Sequence, residues 1–217
     1  MKCFAMAGLA AFLGLAGHAH AAVTYSSGQL LQTTDVLNVG SVVSAVNFGP
    51  SGLDAAVTVN GVAFSGSTTV ALSGFAISGA DFSNSFPSGG PLDTIMSGLV
   101  FTTGQVGTLT LGGLTAGSTY LLQLFMANNI NATGANTNIT IQGQNYTLNT
   151  GFANGNSYYI DAQFLATGTS ETVSFNNIAN REVLNAYALE STTVPEPASI
   201  AVLAAGLLGL ARLRRAR

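Results

Sequence analysis

The stretch AAVTVNGVAFSG, residues 55–66, decides the fold class. Two short runs of alternating character, Val57-Thr58-Val59 and Val62-Ala63-Phe64, flank the pair Asn60-Gly61. Asn-Gly between such runs favours a type I′ turn, because both central residues of that turn need positive φ. The stretch therefore predicts two strands joined as a tight β-hairpin.

The same pattern of short β-branched and aromatic runs, separated by Gly, Ser, Thr and Asn, continues on both sides of this hairpin. Further candidate strands are residues 41–49, 69–78, 106–114, 118–127, 137–143, 145–150, 158–166, 171–177 and 183–191. PLDTIMSGLV (91–100) differs, because an early proline and apolar residues spaced by three or four positions predict a short helix. About ten short strands with one helix predict an all-β fold, an antiparallel β-sandwich of jelly-roll type.

The N-terminus, residues 1–21, has the three parts of a secretory signal peptide. Lys2 gives a positive start, residues 4–16 form an apolar core, and Ala19-His20-Ala21 has the small-x-small form of a cleavage site. Signal peptidase is therefore an expected partner. It would cut after Ala21 and leave Ala22 as the first residue of the mature chain.

The C-terminus combines a short apolar segment with a cluster of positive charge. Residues 198–211 would form a helix about 21 Å long, against a hydrocarbon core of about 30 Å, which predicts a short transmembrane helix. The positive-inside rule keeps the charges that follow in the cytoplasm, as a stop-transfer signal. These charges are Arg212, Arg214, Arg215 and Arg217.

The order of Val194, Pro195-Glu196-Pro197, the short apolar helix and the terminal arginines resembles the PEP-CTERM sorting signal, here residues 192–217. The resemblance implies export by a Gram-negative bacterium that makes extracellular polysaccharide. It also implies recognition by exosortase, a membrane cysteine protease-transpeptidase, and removal of the tail near Pro-Glu-Pro. The expected route is an inner-membrane intermediate, then the cell envelope, the surface or the extracellular matrix.

The middle of the chain carries a second resemblance. The succession VTVNGVAF, PLDTIMSGLVF, TLTLGGLTAGSTYLLQLF and VLNAYALE is similar to exported galactose-binding-like jelly rolls. Residues 113–120 match the turn before their long central strand, and residues 184–187 match their last strand. The resemblance covers roughly residues 40–191 and implies a jelly roll there, and the chain between the two terminal signals predicts one β-sandwich domain over residues 22–191.

The charge and the reactive residues of this domain exclude several functions. Between the two terminal signals the chain keeps one basic residue, Arg181, and eight acids, a formal net charge of −7. Such a surface cannot neutralise a run of phosphates, which excludes nucleic-acid binding. Cys3, His18 and His20 all lie in the signal peptide, so no thiol or imidazole remains for nucleophilic catalysis or zinc binding. We therefore expect a non-enzymatic domain.

Residues 158–161 form a candidate ligand-binding segment. Adjacent strand residues point to opposite faces, so Tyr158 and Tyr159 place one ring in the core and one at the surface. Asp161 lies nearby, and an aromatic face beside a carboxylate suits sugar binding. A half-buried strand with a solvated tyrosine is the alternative interpretation.

Two other candidate positions lie outside that segment. Asn128 and Asn129 begin an asparagine-rich stretch between two predicted strands, which is either a binding loop or a plain polar connector. Arg181, the sole basic residue of the domain, either orients a sugar or a carboxylate ligand or forms a local ion pair with an acid.

The sequence leaves three hypotheses about function. The first is an exported structural or carbohydrate-interacting protein whose partner is extracellular polysaccharide, without a cofactor. The second is a self-assembling surface or fibre component, because few charges guard the strand edges. The third is a glycan hydrolase that uses two carboxylates such as Asp161 and Glu171. A structural Ca²⁺ stays possible, although the acids are scattered singly along the chain.

Overall fold

The computed structural model describes residues 22–67, 72–78, 86–103, 106–128, 137–148, 156–176 and 182–192. The signal peptide and the sorting tail, with Ala19, Ala21, Pro195, Glu196, Pro197 and the four terminal arginines, lie outside these ranges. The first half contains β1 (Thr24–Gln29), a 3₁₀ turn (Thr33–Asp35), β2 (Ser41–Phe48), β3 (Val57–Val59), β4 (Val62–Ser67), β5 (Leu72–Ser73), β6 (Phe75–Ser78) and α1 (Pro91–Ser97). The second half contains β7 (Leu99–Thr102), β8 (Val106–Leu111), β9 (Thr119–Asn128), β10 (Thr137–Ile141), β11 (Gln144–Leu148), β12 (Asn156–Leu165), β13 (Glu171–Asn176), β14 (Val183–Leu184) and β15 (Ala186–Thr192).

The predicted all-β, antiparallel sandwich with one short helix is confirmed. The strands form a seven-stranded sheet in the order β1-β12-β9-β15-β2-β4-β3 and a five-stranded sheet in the order β11-β10-β13-β8-β5. A third sheet has the order β14-β7-β6. One pairing departs from the antiparallel pattern, since β2 and β4 run parallel from Val46 opposite Ser65 to Phe48 opposite Ser67.

The hairpin at residues 55–66 forms as its sequence predicts. β3 pairs antiparallel with β4, with Val59 opposite Val62. Asn60 and Gly61 have φ of 47° and 84°, the two positive values that a type I′ turn requires. Val59 and Val62 are fully buried, so the hairpin contributes to the core as well as reversing the chain.

Several elements differ from the sequence predictions. β1 was not predicted as a strand. The helix ends at Ser97 rather than at residue 100, and Leu99 already belongs to β7. Residues 72–78 of the predicted strand 69–78 form two strands separated by Gly74, and the predicted strand 183–191 is interrupted at Asn185. Gly74 has φ of 75°, a left-handed conformation that a continuous strand cannot contain.

The seven-stranded sheet buries apolar residues on both faces. Its inner face packs on the five-stranded sheet, and this cluster includes Leu122, Leu124 and Ile160 of the larger sheet with Ile139 and Phe175 of the smaller. Its outer face is covered by α1, the β3–β4 hairpin and part of the loop that follows β1. Alternate residues of β9, β12 and β15 therefore lie in two separate environments.

Gly98 marks the tightest backbone approach around the helix end. A Cβ atom at this position would lie 2.2 Å from the carbonyl oxygen of Phe48 and 2.6 Å from the Cα of Gly49. Because both are backbone atoms, Gly98→Ala should lower the free energy of unfolding by about 2–3 kcal/mol, which urea denaturation can measure. Gly112→Ala is the matched control, since a Cβ there meets nothing within 4 Å. Equal stability of the two variants would contradict this packing.

Candidate functional site

The two adjacent tyrosines of β12 point to opposite sides of the seven-stranded sheet. Tyr158 is 8% exposed and belongs to the cluster between the two large sheets. Tyr159 is partly exposed on the outer face, where it packs against the second cluster. Only Tyr159 can therefore offer an aromatic surface to a ligand.

Gly28 of β1 positions the Tyr159 ring. Gly28 lies opposite Tyr159 in the β1–β12 pairing. A Cβ atom at Gly28 would lie 2.5 Å from the Tyr159 hydroxyl oxygen and 2.7 Å from the ring carbon that bears it. The ring thus lies over the bare backbone of the edge strand, and any side chain at residue 28 would displace it.

Asp161 lies on the same face, two residues further along β12. It is 9% exposed, and Ser26, opposite it in β1, donates a hydrogen bond of 3.2 Å to Oδ2. Oδ1 is buried and has no hydrogen-bond partner among the described residues. Burial raises the pKa of the Asp161 carboxyl to about 6, against the opposing effect of Gln123 and Ser26.

The loop between β1 and β2 (residues 30–40, the crossing loop) runs over this face. The Gln123 side chain of β9 accepts a hydrogen bond from the Leu37 amide (3.0 Å) and donates one to the carbonyl oxygen of Asp35 (2.8 Å). The buried Glu190 carboxylate of β15 accepts hydrogen bonds from Val39 (2.7 Å) and Gly40 (2.8 Å) through Oε2. The sheet therefore fixes the crossing loop at two points.

Asp35 of the crossing loop brings a second carboxylate near Tyr159. Its Oδ2 accepts hydrogen bonds from the amides of Leu31 (2.8 Å) and Gln32 (3.0 Å), which hold the side chain in place. Partial burial, and then the charges of Asp161 and Asp35, raise the pKa of the Tyr159 hydroxyl. The ring consequently lies in a region of negative potential.

The charges of the described residues all have one sign. Seven of these residues are acidic, and no lysine or arginine occurs in the ranges that the structure describes. Across those ranges, no three Asp, Glu, His or Cys side chains come close enough together to hold a metal ion. The Tyr159 face therefore suits neutral or cationic ligands better than anionic ones.

A second buried carboxyl lies at one end of the sandwich. Glu182 is 2% exposed, and its Oε1 accepts a hydrogen bond of 3.2 Å from the Asn138 amide at the start of β10. Its own amide donates to the Thr102 hydroxyl (2.9 Å) at the end of β7. Burial raises the pKa of Glu182 to about 7, although hydrogen bonds from Thr137 and Asn138 oppose the shift. Glu182 therefore connects two of the sheets.

The structure separates the remaining candidate residues from the Tyr159 face. The backbone of Asn128 pairs with that of Asn156, at the end of β12 remote from Asp161. Asn129 and Arg181 lie outside the described residues. Asp161 is on the outer face of the larger sheet, whereas Glu171 belongs to β13 of the five-stranded sheet. These two carboxylates do not share a site.

The residues that complete the Tyr159 face were not found from the sequence. Ser26 and Gly28 belong to the unpredicted strand β1, and Asp35 and Gln123 reach the face through pairings between distant segments. The polar run TYSSGQ offers no apolar alternation that would indicate a strand. Only the contact with β12 makes these residues part of one surface.

The comparison with protein-family models matches residues 193–215 to the PEP-CTERM protein-sorting motif. The resemblance of the tail to this signal is thereby confirmed. The motif implies an exported protein that exosortase processes and sorts to the cell envelope. Among the described residues, no helix is long and apolar enough to cross a membrane. The predicted helix at residues 198–211 lies outside those residues.

Among solved structures, the sandwich is similar to the extracellular domain of ANXUR2 from Arabidopsis thaliana, with a TM-score of 0.50 and 10% identity. The match covers 69% of this chain and 41% of that one, so it spans about two-fifths of the ANXUR2 domain and shows the fold alone. An exo-β-1,3-galactanase from Phanerochaete chrysosporium matches with a TM-score of 0.39 and 12% identity, over 70% of this chain and 30% of its own. A search of curated proteins found no match.

Proposed function

Because the chain carries a PEP-CTERM protein-sorting motif at residues 193–215, we propose that it is a non-enzymatic protein of the cell envelope or the extracellular polysaccharide matrix. In this proposal the tail is cut near Pro195-Glu196-Pro197, and the β-sandwich then interacts with carbohydrate. A structural role in the matrix follows from that interaction.

The observation that carries the carbohydrate part is the surface around Tyr159. A partly exposed ring, a carboxylate in Asp161 and an exposed hydroxyl in Ser26 lie on one face. Sugars are bound by aromatic faces together with a few polar groups that fix their hydroxyls. The separation of Asp161 from Glu171 removes the carboxylate pair that the sequence offered for glycoside hydrolysis.

Processing is tested by intact mass spectrometry of the protein recovered from its host, with the membrane and medium fractions kept apart. We expect a mass that runs from Ala22 to near Pro195, found outside the cell. Replacing Pro195, Glu196 and Pro197 together by alanine should leave a chain that ends at Arg217 in the membrane fraction. A full-length mass for the unaltered protein would refute exosortase processing.

Carbohydrate binding is tested by affinity electrophoresis of the purified protein in gels that contain the host's extracellular polysaccharide. Tyr159→Leu should abolish most of the retardation, because leucine keeps apolar contact with the core but lacks a flat aromatic face. Tyr159→Phe is the matched control and should keep it. Absence of retardation for the unaltered protein would reject this function, and concentration-dependent oligomers in light scattering would favour self-assembly instead.

A further inference from the structure

We infer that the Tyr159 face recognises a cationic polysaccharide, one whose sugars carry free amino groups. The inference rests on the proposed function and adds the chemical class of the ligand. The ammonium group would lie against the Tyr159 ring, between the carboxylates of Asp161 and Asp35. The rest of the sugar would contact the ring and the exposed Ser26 hydroxyl.

The first argument is the arrangement of charge around the ring. Asp161 projects from the same strand face as Tyr159, and Asp35 is held in the crossing loop through the hydrogen bond between its carbonyl oxygen and Gln123 (2.8 Å). A cation over a tyrosine ring is attracted by the ring quadrupole. Two neighbouring carboxylates strengthen the attraction, because the same cation compensates both.

The second argument is the unsatisfied carboxylate. Asp161 is more than nine-tenths buried, and its Oδ1 lacks a hydrogen-bond partner among the described residues. A buried carboxylate that has one oxygen without a donor and no counter-charge is unfavourable. An ammonium group beside the carboxylate supplies the positive charge that the described residues lack, together with further donors.

The third argument is the absence of a competing cation among the residues that the structure describes. No lysine or arginine occurs among the described residues, so no side chain there neutralises Asp161. The mature domain as a whole has one basic residue and eight acids. A polysaccharide rich in uronic acids would therefore be repelled, whereas one with ammonium groups would be attracted.

The test compares two ligands by isothermal titration with the protein purified from its host. One is a soluble β-1,4-linked glucosamine oligosaccharide, and the other is its fully N-acetylated counterpart, which has the same backbone but no charge. At about pH 5.5, where the amino groups are protonated, we expect the amine form to bind about tenfold more tightly. Binding should also release a proton, seen as a heat that depends on the buffer, because the ammonium group lowers the pKa of Asp161.

Two variants assign the effect to the site. Asp161→Asn keeps the shape of the side chain, and it should remove most of the preference for the amine and the proton release. Glu171→Gln removes the same charge from the other sheet and should change neither. Equal losses in both variants would mean general electrostatic attraction and would overturn the site.

Binding measured with the glucosamine oligosaccharide, its N-acetylated counterpart and the host's polysaccharide distinguishes failure of this inference from failure of the proposed function. Equal binding of the N-acetylated oligosaccharide would overturn the cationic class but leave a carbohydrate-binding protein. Binding of the host's polysaccharide without any binding of the glucosamine oligosaccharide would do the same. Failure to bind any of the three would remove both proposals.

Discussion

The free energy of unfolding should fall by several kcal/mol as the pH rises from about 4.5 to about 8. Burial raises the pKa of Glu182 from its ordinary 4.5 to about 7 and that of Asp161 from 3.8 to about 6. In this window the folded protein binds more protons than the unfolded chain, so stability decreases with pH. Stability starts to decrease near the ordinary pKa values of these carboxyls, and the decrease is complete once the pH passes their raised pKa values in the folded protein.

The size of this effect follows from the two shifts. One pKa unit corresponds to about 1.4 kcal/mol, so each carboxyl contributes at most about 3 to 4 kcal/mol. Both side chains are almost completely buried, which limits screening by solvent. The net charge of the mature domain adds in the same direction, because self-repulsion grows as the acids ionise.

Urea unfolding at a series of pH values measures this profile. The double variant Glu182→Gln with Asp161→Asn is the control, since both amides keep an oxygen acceptor but cannot ionise. Its stability should vary much less between about pH 4.5 and pH 8. A profile that rises with pH in the unaltered protein, or one that keeps its slope in the double variant, would show that these carboxyls are not buried as described.

The elements that the sequence predicts correctly are those with strong local signals. The hairpin at residues 55–66 needs only Asn60 and Gly61 at positive φ, and both adopt it. The start of α1 follows from Pro91, which is compatible with the first turn of a helix. Short runs of apolar and aromatic residues indicate β9 and β12, and one face of each packs on the five-stranded sheet.

The features that the sequence misses depend on distant contacts. β1 is a strand because it pairs with β12 and accommodates the Tyr159 ring over Gly28, and neither condition is visible in TYSSGQ. The apolar spacing of residues 91–100 continues past the true end of α1. At the helix end, Asn185, which is far away in sequence, donates hydrogen bonds to the carbonyl oxygens of Met96 and Gly98.

The candidate site also combines a feature that local sequence patterns predict with features that depend on distant contacts. The opposite orientation of Tyr158 and Tyr159 follows from strand geometry alone, and the structure shows it. The neighbours that give Tyr159 its chemistry, Ser26 and Asp35, come from β1 and the crossing loop. Local patterns therefore predict which side chain is exposed but not which groups surround it.

Asn185→Ala should destabilise the protein by about 4 kcal/mol. Asn185 is fully buried between β14 and β15. Its Oδ1 accepts a hydrogen bond from the Ala127 amide at 2.7 Å. Its Nδ2 donates to the carbonyl oxygens of Met96 at 3.1 Å and Gly98 at 2.7 Å. Alanine would leave one buried donor and two carbonyls without these partners, each at a cost of about 1–3 kcal/mol.

The measurement is the urea midpoint together with its slope, because an unchanged slope shows that stability rather than compactness has changed. Asn145→Ala is the matched control. Asn145 is exposed and accepts one hydrogen bond, from the Thr140 hydroxyl at 2.6 Å. Loss of this hydrogen bond should lower the free energy of unfolding by less than about 0.5 kcal/mol, since water replaces the partner. Similar midpoints for the two variants would mean that Asn185 does not join the end of α1 to β9. Other contacts would then have to hold α1 on the outer face of the seven-stranded sheet.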